Sequence, residues 1–213
     1  MKILFFGDSI TDAGRDRTSD GNAHALGFGY VRSIAGKLIG EAPEKYDIFN
    51  RGISGNRIVD LYARIKCDCW NLQPDVLSIL IGINDVWHDV RNANGVEIDR
   101  FEKMYRMLLK DTKKALPNVK LMILEPFVLP GTVTCAQDKY EEFLVIKDYA
   151  KIFQKLAEEF GAIFIPLQAQ FDAMQEKYGD NTYYLIDGVH PNTAGAEMIA
   201  DAWIKAFKTQ ICK

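Results

Sequence analysis

Residues 1–11, MKILFFGDSIT, decide how the rest of the chain is read. Ile3, Leu4, Phe5 and Phe6 form an unbroken apolar run. Such a run suits a strand covered on both faces, as in a parallel sheet. It stops at Gly7, and Asp8, Ser9 and Thr11 follow at once. Open α/β sheets bind their ligands beyond the carboxyl ends of the strands. A serine on the turn leaving the first strand is therefore placed to act as a nucleophile. Ser, Asp and Thr also cap helices by accepting bonds from first-turn N–H groups. The choice between catalysis and capping falls to the rest of the chain.

Working outward, apolar strands recur at 46–50, 76–81, 119–124 and 162–165. Helical spacing of apolar residues covers 27–40, 58–72, 98–116, 137–160 and 169–178. Asn192 is placed to cap a last helix reaching about residue 209. Residues 12–26 are polar, rich in Gly, Asp and Arg, and read as a long loop over the carboxyl edge of the sheet. Alternating strands and helices imply a parallel sheet with right-handed crossovers. The expectation is one three-layer α/β/α domain spanning residues 1–213, a length that supports a sizeable core.

Bulk properties narrow the function. The net charge is -3 and no Lys/Arg run stands out, which argues against nucleic-acid binding. No window approaches the length of apolar sequence that a membrane span requires. The N-terminal apolar run is short for a signal peptide, and cleavage there would remove Ser9, so a cytoplasmic protein is expected. Cys67-x-Cys69 lacks the two-residue gap of a zinc knuckle, and Cys135 and Cys212 stand apart. Reduced thiols without a function are expected. No His/Cys/Asp cluster has ligand spacing, so neither a metal nor a cofactor is expected.

Four polar clusters follow strands or precede the last helix: Gly7-Asp8-Ser9, Gly52, Gly82-x-Asn84-Asp85 and Asp187-Gly188-Val189-His190. Acyl transfer needs a nucleophile, a base, a group that orients the base, and donors for the oxyanion. Ser9 fits the nucleophile, His190 the base, and Asp187 the group that fixes the imidazole tautomer. The N–H groups of Ser9 and Gly52 and the side-chain amide of Asn84 fit an oxyanion hole. His24 and His88 fall in loops and are assigned surface or pocket-lining roles.

These blocks, Gly7-Asp8-Ser9-Ile10-Thr11, Gly52, Gly82-Ile83-Asn84-Asp85 and Asp187-x-x-His190, resemble the four blocks of the SGNH, or GDSL, hydrolase superfamily. The resemblance implies a flavodoxin-like five-stranded parallel sheet. It also implies Ser9–His190–Asp187 catalysis, with Gly52 and Asn84 as oxyanion donors. Ile10 stands where the name-giving motif has Leu. Three longer segments, 25–31, 50–56 and 81–87, are similar to a bacterial acetylxylan esterase group. That likeness implies removal of acetyl groups from sugars and a homo-oligomer.

Competing chemistries fail on spacing. A haloacid-dehalogenase-type phosphatase wants a second Asp two residues after Asp8, where Ile10 stands. G-x-G-x-x-G is absent after the first strand, and Thr11 interrupts G-x-S-x-G. Two alternatives keep the same fold: a lysophospholipase or thioesterase-type lipolytic enzyme, and an inactive sugar-binding protein. Asp8, Phe28, Tyr30, Trp87 and Tyr184 are expected to line the substrate pocket. The resulting expectation is an acetylesterase acting on sugars such as xylo-oligosaccharides, with rates falling beyond about four acyl carbons.

Overall fold

A computed structural model describes residues 1–19 and 23–212. Five strands run in parallel: β1 (Lys2–Gly7), β2 (Asp47–Gly52), β3 (Val76–Leu80), β4 (Lys120–Leu124) and β5 (Ile163–Ile165), in the order β2-β1-β3-β4-β5. The register pairs Gly7 with Gly52 on one side and with Leu80 on the other. The carboxyl ends of β1, β2 and β3 therefore lie level at one edge. The chain doubles back in strand order between β1 and β3, where ligands bind in such sheets.

The helices are α1 (Ser9–Asp12), α2 (Tyr30–Glu41), α3 (Ile58–Asp68), α4 (Ile83–Asn92), α5 (Ile98–Ala115), α6 (Tyr140–Phe143), α7 (Ile146–Phe160), α8 (Gln168–Tyr178) and α9 (Thr193–Gln210). They cover both faces of the sheet, with α2 against α9 and α3, α5 and α7 packed in turn. The apolar run of β1 explains this directly. Side chains alternate across a strand, so Phe5 and Phe6 point to opposite layers. Phe5 meets Tyr30 of α2 and Trp203 of α9, with ring centroids 5.8 and 5.2 Å away. Phe6 lies under the Arg64 guanidinium of α3 at 4.3 Å. On β3, Ser78 accepts a 2.9 Å bond from the Trp203 indole, which satisfies both buried polar groups.

Two elements differ from the sequence expectation. The helix expected over 137–160 is broken. Gln137 and Asp138 take positive φ of 63° and 56°, and α6 precedes α7. Phe143 of α6 packs on Trp87 at 5.7 Å, whereas Phe153 of α7 packs on Phe101 at 5.5 Å. The two apolar faces thus meet different partners. Helix α4 was not expected at all, because Ile, Asn, Asp and Val open it and all are weak helix formers. Gly82, at φ +125°, turns the chain from β3 into it. Of the loop expected over 12–26, residues 20–22 lie outside the described residues. Among the described residues, no helix is long and apolar enough to cross a membrane.

Candidate active site

Ser9 is the first residue of α1, a single turn. Asp8 caps it by accepting a 3.0 Å bond from Ile10 N–H, and Ala13 ends it in the left-handed conformation at φ 41°. This both presents the Ser9 side chain at the sheet edge and leaves its N–H without a described partner.

Ser9 Oγ lies 2.9 Å from His190 Nε2, and His190 Nδ1 lies 2.8 Å from Asp187 Oδ2. The other Asp187 oxygen accepts the backbone N–H groups of Val189 and His190, at 3.0 and 2.9 Å. One carboxylate thus fixes the turn and the ring together. The loop after β4 braces that turn. Leu129 N–H donates to Gly188 O at 2.9 Å, and Val133 N–H to Asp187 O at 3.1 Å. This bracing was invisible in a stretch legible only as a Pro- and Gly-bearing loop.

Electrostatics follow from these contacts. The hydrogen bond that the ring donates to Asp187 raises the His190 imidazole above its ordinary 6.5, against the opposing pull of burial. Burial pushes the Asp187 carboxyl up, but the bonds from His190 outweigh it and the net shift is downward. Asp187 is therefore a carboxylate at neutral pH, holding Nδ1–H and leaving Nε2 to face Ser9 Oγ.

The expected oxyanion donors fare differently. Asn84, in the first turn of α4, is nearly buried, and its Nδ2 reaches Asn56 O at 3.2 Å. The Gly52 N–H, by contrast, donates to the Asn50 side-chain oxygen at 2.9 Å. Asn50 cannot readily flip, because its Nδ2 donates to Thr11 O and Leu26 O at 2.7 and 2.9 Å. Gly52 is thus corrected from an oxyanion donor to a packing glycine, since a Cβ there would overlap the Asp12 backbone. Three residues on, Gly55 lies past the strand end at φ +83°, and its N–H meets no described partner. The Asn84 amide reaches the same turn at Asn56. The signal for Gly55 was in the sequence: it is the second glycine of Gly52-Ile53-Ser54-Gly55, and the one beyond the strand.

The expected pocket residues separate into groups. Phe28 and the Tyr30 segment border a hollow of about 210 Å³ beside Ser9 and His190. The Tyr30 ring itself is buried, with its hydroxyl 3.0 Å from Thr11 Oγ1. Trp87 backs the imidazole edge-on, with ring centroids 6.0 Å apart. Tyr184 borders a separate hollow with Met174 and Met198 and takes no part in the one at Ser9. Asp8 is fully buried beneath Ser9, so it caps α1 rather than lining the pocket. Burial pushes its carboxyl up to about 7, and one of its oxygens has no hydrogen-bond partner. His88, on α4, is not drawn into the site, and burial lowers its affinity for a proton. Ile186, an exposed residue that also lines the hollow, was missed because nothing but its place before Asp187 marked it.

Comparison with known proteins gives a consistent picture. The model of the GDSL-like lipase/acylhydrolase family matches residues 5–198. An acetylxylan esterase from Geobacillus stearothermophilus is 36% identical over 211 residues, covering 96% of this chain and 92% of the relative. Its crystal structure superposes with a TM-score of 0.84 over 96% of this chain and 93% of that one. Variants of that enzyme described as catalytic mutants carry alanine for a serine, an aspartate and a histidine, the last two separated by two residues. A GDSL-like lipase candidate from Parabacteroides merdae is 41% identical, with a TM-score of 0.84 over 96% of this chain and 94% of that one. Thioesterase 1/protease 1/lysophospholipase L1 of Escherichia coli is 27% identical, covering 77% of this chain and 68% of the relative.

Proposed function

The chain belongs to the GDSL-like lipase/acylhydrolase family and is a carboxylic ester hydrolase, and on that premise we propose that it removes acetyl groups from carbohydrate through Ser9, His190 and Asp187. The observation that carries this reading is the unbroken relay Ser9 Oγ–His190–Asp187, with successive separations of 2.9 and 2.8 Å. The spacing Asp187-x-x-His190 also matches that of the aspartate and histidine replaced in the relative's catalytic mutants. The sugar substrate rests on that relative's being an acetylxylan esterase.

In this mechanism His190 Nε2 takes the Ser9 hydroxyl proton as Oγ attacks the ester carbonyl carbon. The carbonyl oxygen becomes an oxyanion. Ser9 N–H, Gly55 N–H and Asn84 Nδ2 are its donors, acting in a partly water-excluded site where such bonds count most. As the intermediate collapses, the bond to the sugar oxygen breaks and the imidazolium returns its proton to that oxygen. Water then attacks the acetyl-Ser9 ester by the same route in reverse, with His190 as base, releasing acetate and restoring Ser9. Asp187 holds the ring throughout and stabilises the imidazolium.

The test is acetate release from acetylated xylo-oligosaccharides, compared with release from simple alkyl acetates. Sugar acetates are expected to have the higher kcat/KM. Hydrolysis of alkyl acetates with no turnover of acetylated sugars would overturn the carbohydrate assignment while leaving the esterase.

A further inference from the structure

An amide that serves an oxyanion has to be aimed. The Asn84 Nδ2 carries two hydrogens. One goes to Asn56 O at 3.2 Å, which leaves the other for the oxyanion. The direction of that second N–H is therefore set by where Asn56 O sits. Asn56 ends the turn Ile53–Asn56, which its own N–H closes by donating to Ile53 O at 3.2 Å. The turn lies past the end of β2 and carries Gly55 at φ +83°. Side chains grip it at both ends. Asp12 Oδ2 accepts the Ser54 N–H and hydroxyl at 3.1 and 3.2 Å, and Arg64 Nε donates to Asn56 Oδ1 at 2.7 Å. Arg64, on α3, is itself fixed. Its Nη1 donates to Arg51 O and Asp68 Oδ2 at 2.9 and 2.7 Å, and its Nη2 to Gly7 O at 3.1 Å. The side chain is only 14% exposed and its guanidinium lies over Phe6. Gly7 ends the strand that leads into Asp8 and Ser9, so one guanidinium ties the oxyanion turn to the strand carrying the nucleophile. A planar fork with five donors can serve the ends of β1 and β2 and the turn at once, whereas a lysine ammonium cannot. Tying the strands together needs only the bonds to Gly7 and Arg51. The bond to Asn56 is the one that reaches the site.

From these contacts we infer that Arg64 is a positioning residue for the esterase reaction: through the Asn56 side chain it holds Asn56 O in place and so aims the Asn84 amide at the oxyanion. The inference rests on Asn84 being an oxyanion donor, as proposed above. Neither the Arg64 nor the Asn56 side chain makes or breaks a bond in the reaction, and neither touches the His190–Asp187 pair. Their loss should therefore show in kcat, not in KM or in the pH at which His190 titrates.

The test is kcat, KM and the pH–rate profile on p-nitrophenyl acetate, with folding checked by circular dichroism. Asn56→Ala cuts the link to Arg64 but keeps the backbone carbonyl. It should lower kcat about tenfold while KM and the pH midpoint stay put. Asn56→Asp returns an acceptor to Arg64 Nε and should recover most of that loss. Arg64→Lys keeps the charge but loses the fork, and should lower kcat about 10–10²-fold. If that variant fails to fold, the Asn56 variants decide alone. Added to Asn84→Ala, the Asn56→Ala change should cost less than about twofold more, because the group it aims is gone. A folded Asn56→Ala protein with wild-type kcat would overturn the inference. So would an equal loss in Asn56→Asp, or a tenfold loss that persists in the Asn84→Ala background; either result leaves the oxyanion assignment of Asn84 standing. An Asn84→Ala variant with wild-type kcat would bring down that assignment and the inference together.

Discussion

In the mechanism proposed here His190 serves as a base only while Nε2 is unprotonated, and Asp187 makes that ring hold its proton to higher pH than a free histidine would. The sign follows directly. Because the His190 value is raised above 6.5, kcat/KM should be full at alkaline pH and fall as pH drops through a midpoint above 6.5. Asp187→Asn should move that midpoint down toward 6.5 and lower kcat about 10²–10⁴-fold with little change in KM, because the tautomer is lost. A pH–rate profile of both proteins checks the two effects together. Asp8 carries a different signature. Its buried carboxyl holds a proton up to about pH 7, whereas the unfolded chain releases it near 3.8. The folded state thus binds the proton more tightly, so stability present at low pH is lost as pH rises from about 4 to 7. Asp8→Asn keeps an acceptor for Ile10 N–H and should flatten that slope, gaining on the wild type toward neutral pH. Urea melts at pH 4.5 and 7 measure it.

The end of β2 and the start of α4 show how single strand ends are locked for chemistry. Asn50 ties β2 to the segments carrying Thr11 and Leu26 and takes the Gly52 N–H. Asn50→Ala would orphan several buried groups at about 1–3 kcal/mol each. The melting temperature should fall by at least roughly 6 °C, and by up to about 35 °C, for a chain of this size. If Asn84 donates to the oxyanion as proposed, Asn84→Ala should lower kcat about 10²–10³-fold for every ester tested. At this scale the sequence was readable where apolar runs ended in Gly, Asp, Ser or Asn, because burial on both faces leaves no other reading for Ile3–Phe6 or Val76–Leu80. It was misread where a polar side chain reaches across the chain. Nothing local to Gly52 reveals that Asn50 has claimed its amide, and nothing local to Gly82–Asp85 reveals that a helix of weak formers is held by its packing. The break between α6 and α7 was hidden for the same reason, since the apolar spacing continues through it while its partners change.

Across the whole molecule, the order β2-β1-β3-β4-β5 puts the carboxyl ends of β1 and β3 on either side of the point where the chain reverses direction through the sheet. Ser9 leaves one strand and Asn84 follows the other, while the loop before α9 brings Asp187 and His190 back over that edge. The four blocks are thus far apart in sequence and adjacent in space, which is why their order along the chain was informative before any contact was known. The acyl-transfer route uses only side chains and backbone N–H groups, and among the described residues no three His, Cys, Asp or Glu side chains are grouped to hold a metal. Esterase activity should therefore survive dialysis against EDTA, and loss restored by zinc would demand a different mechanism. The claim on which all of this depends is that Ser9 is the nucleophile. Its most direct test is kcat of Ser9→Ala on p-nitrophenyl acetate, with folding checked by circular dichroism. The account predicts a native spectrum and a fall of about 10³-fold or more, and a natively folded variant retaining near wild-type kcat would contradict it.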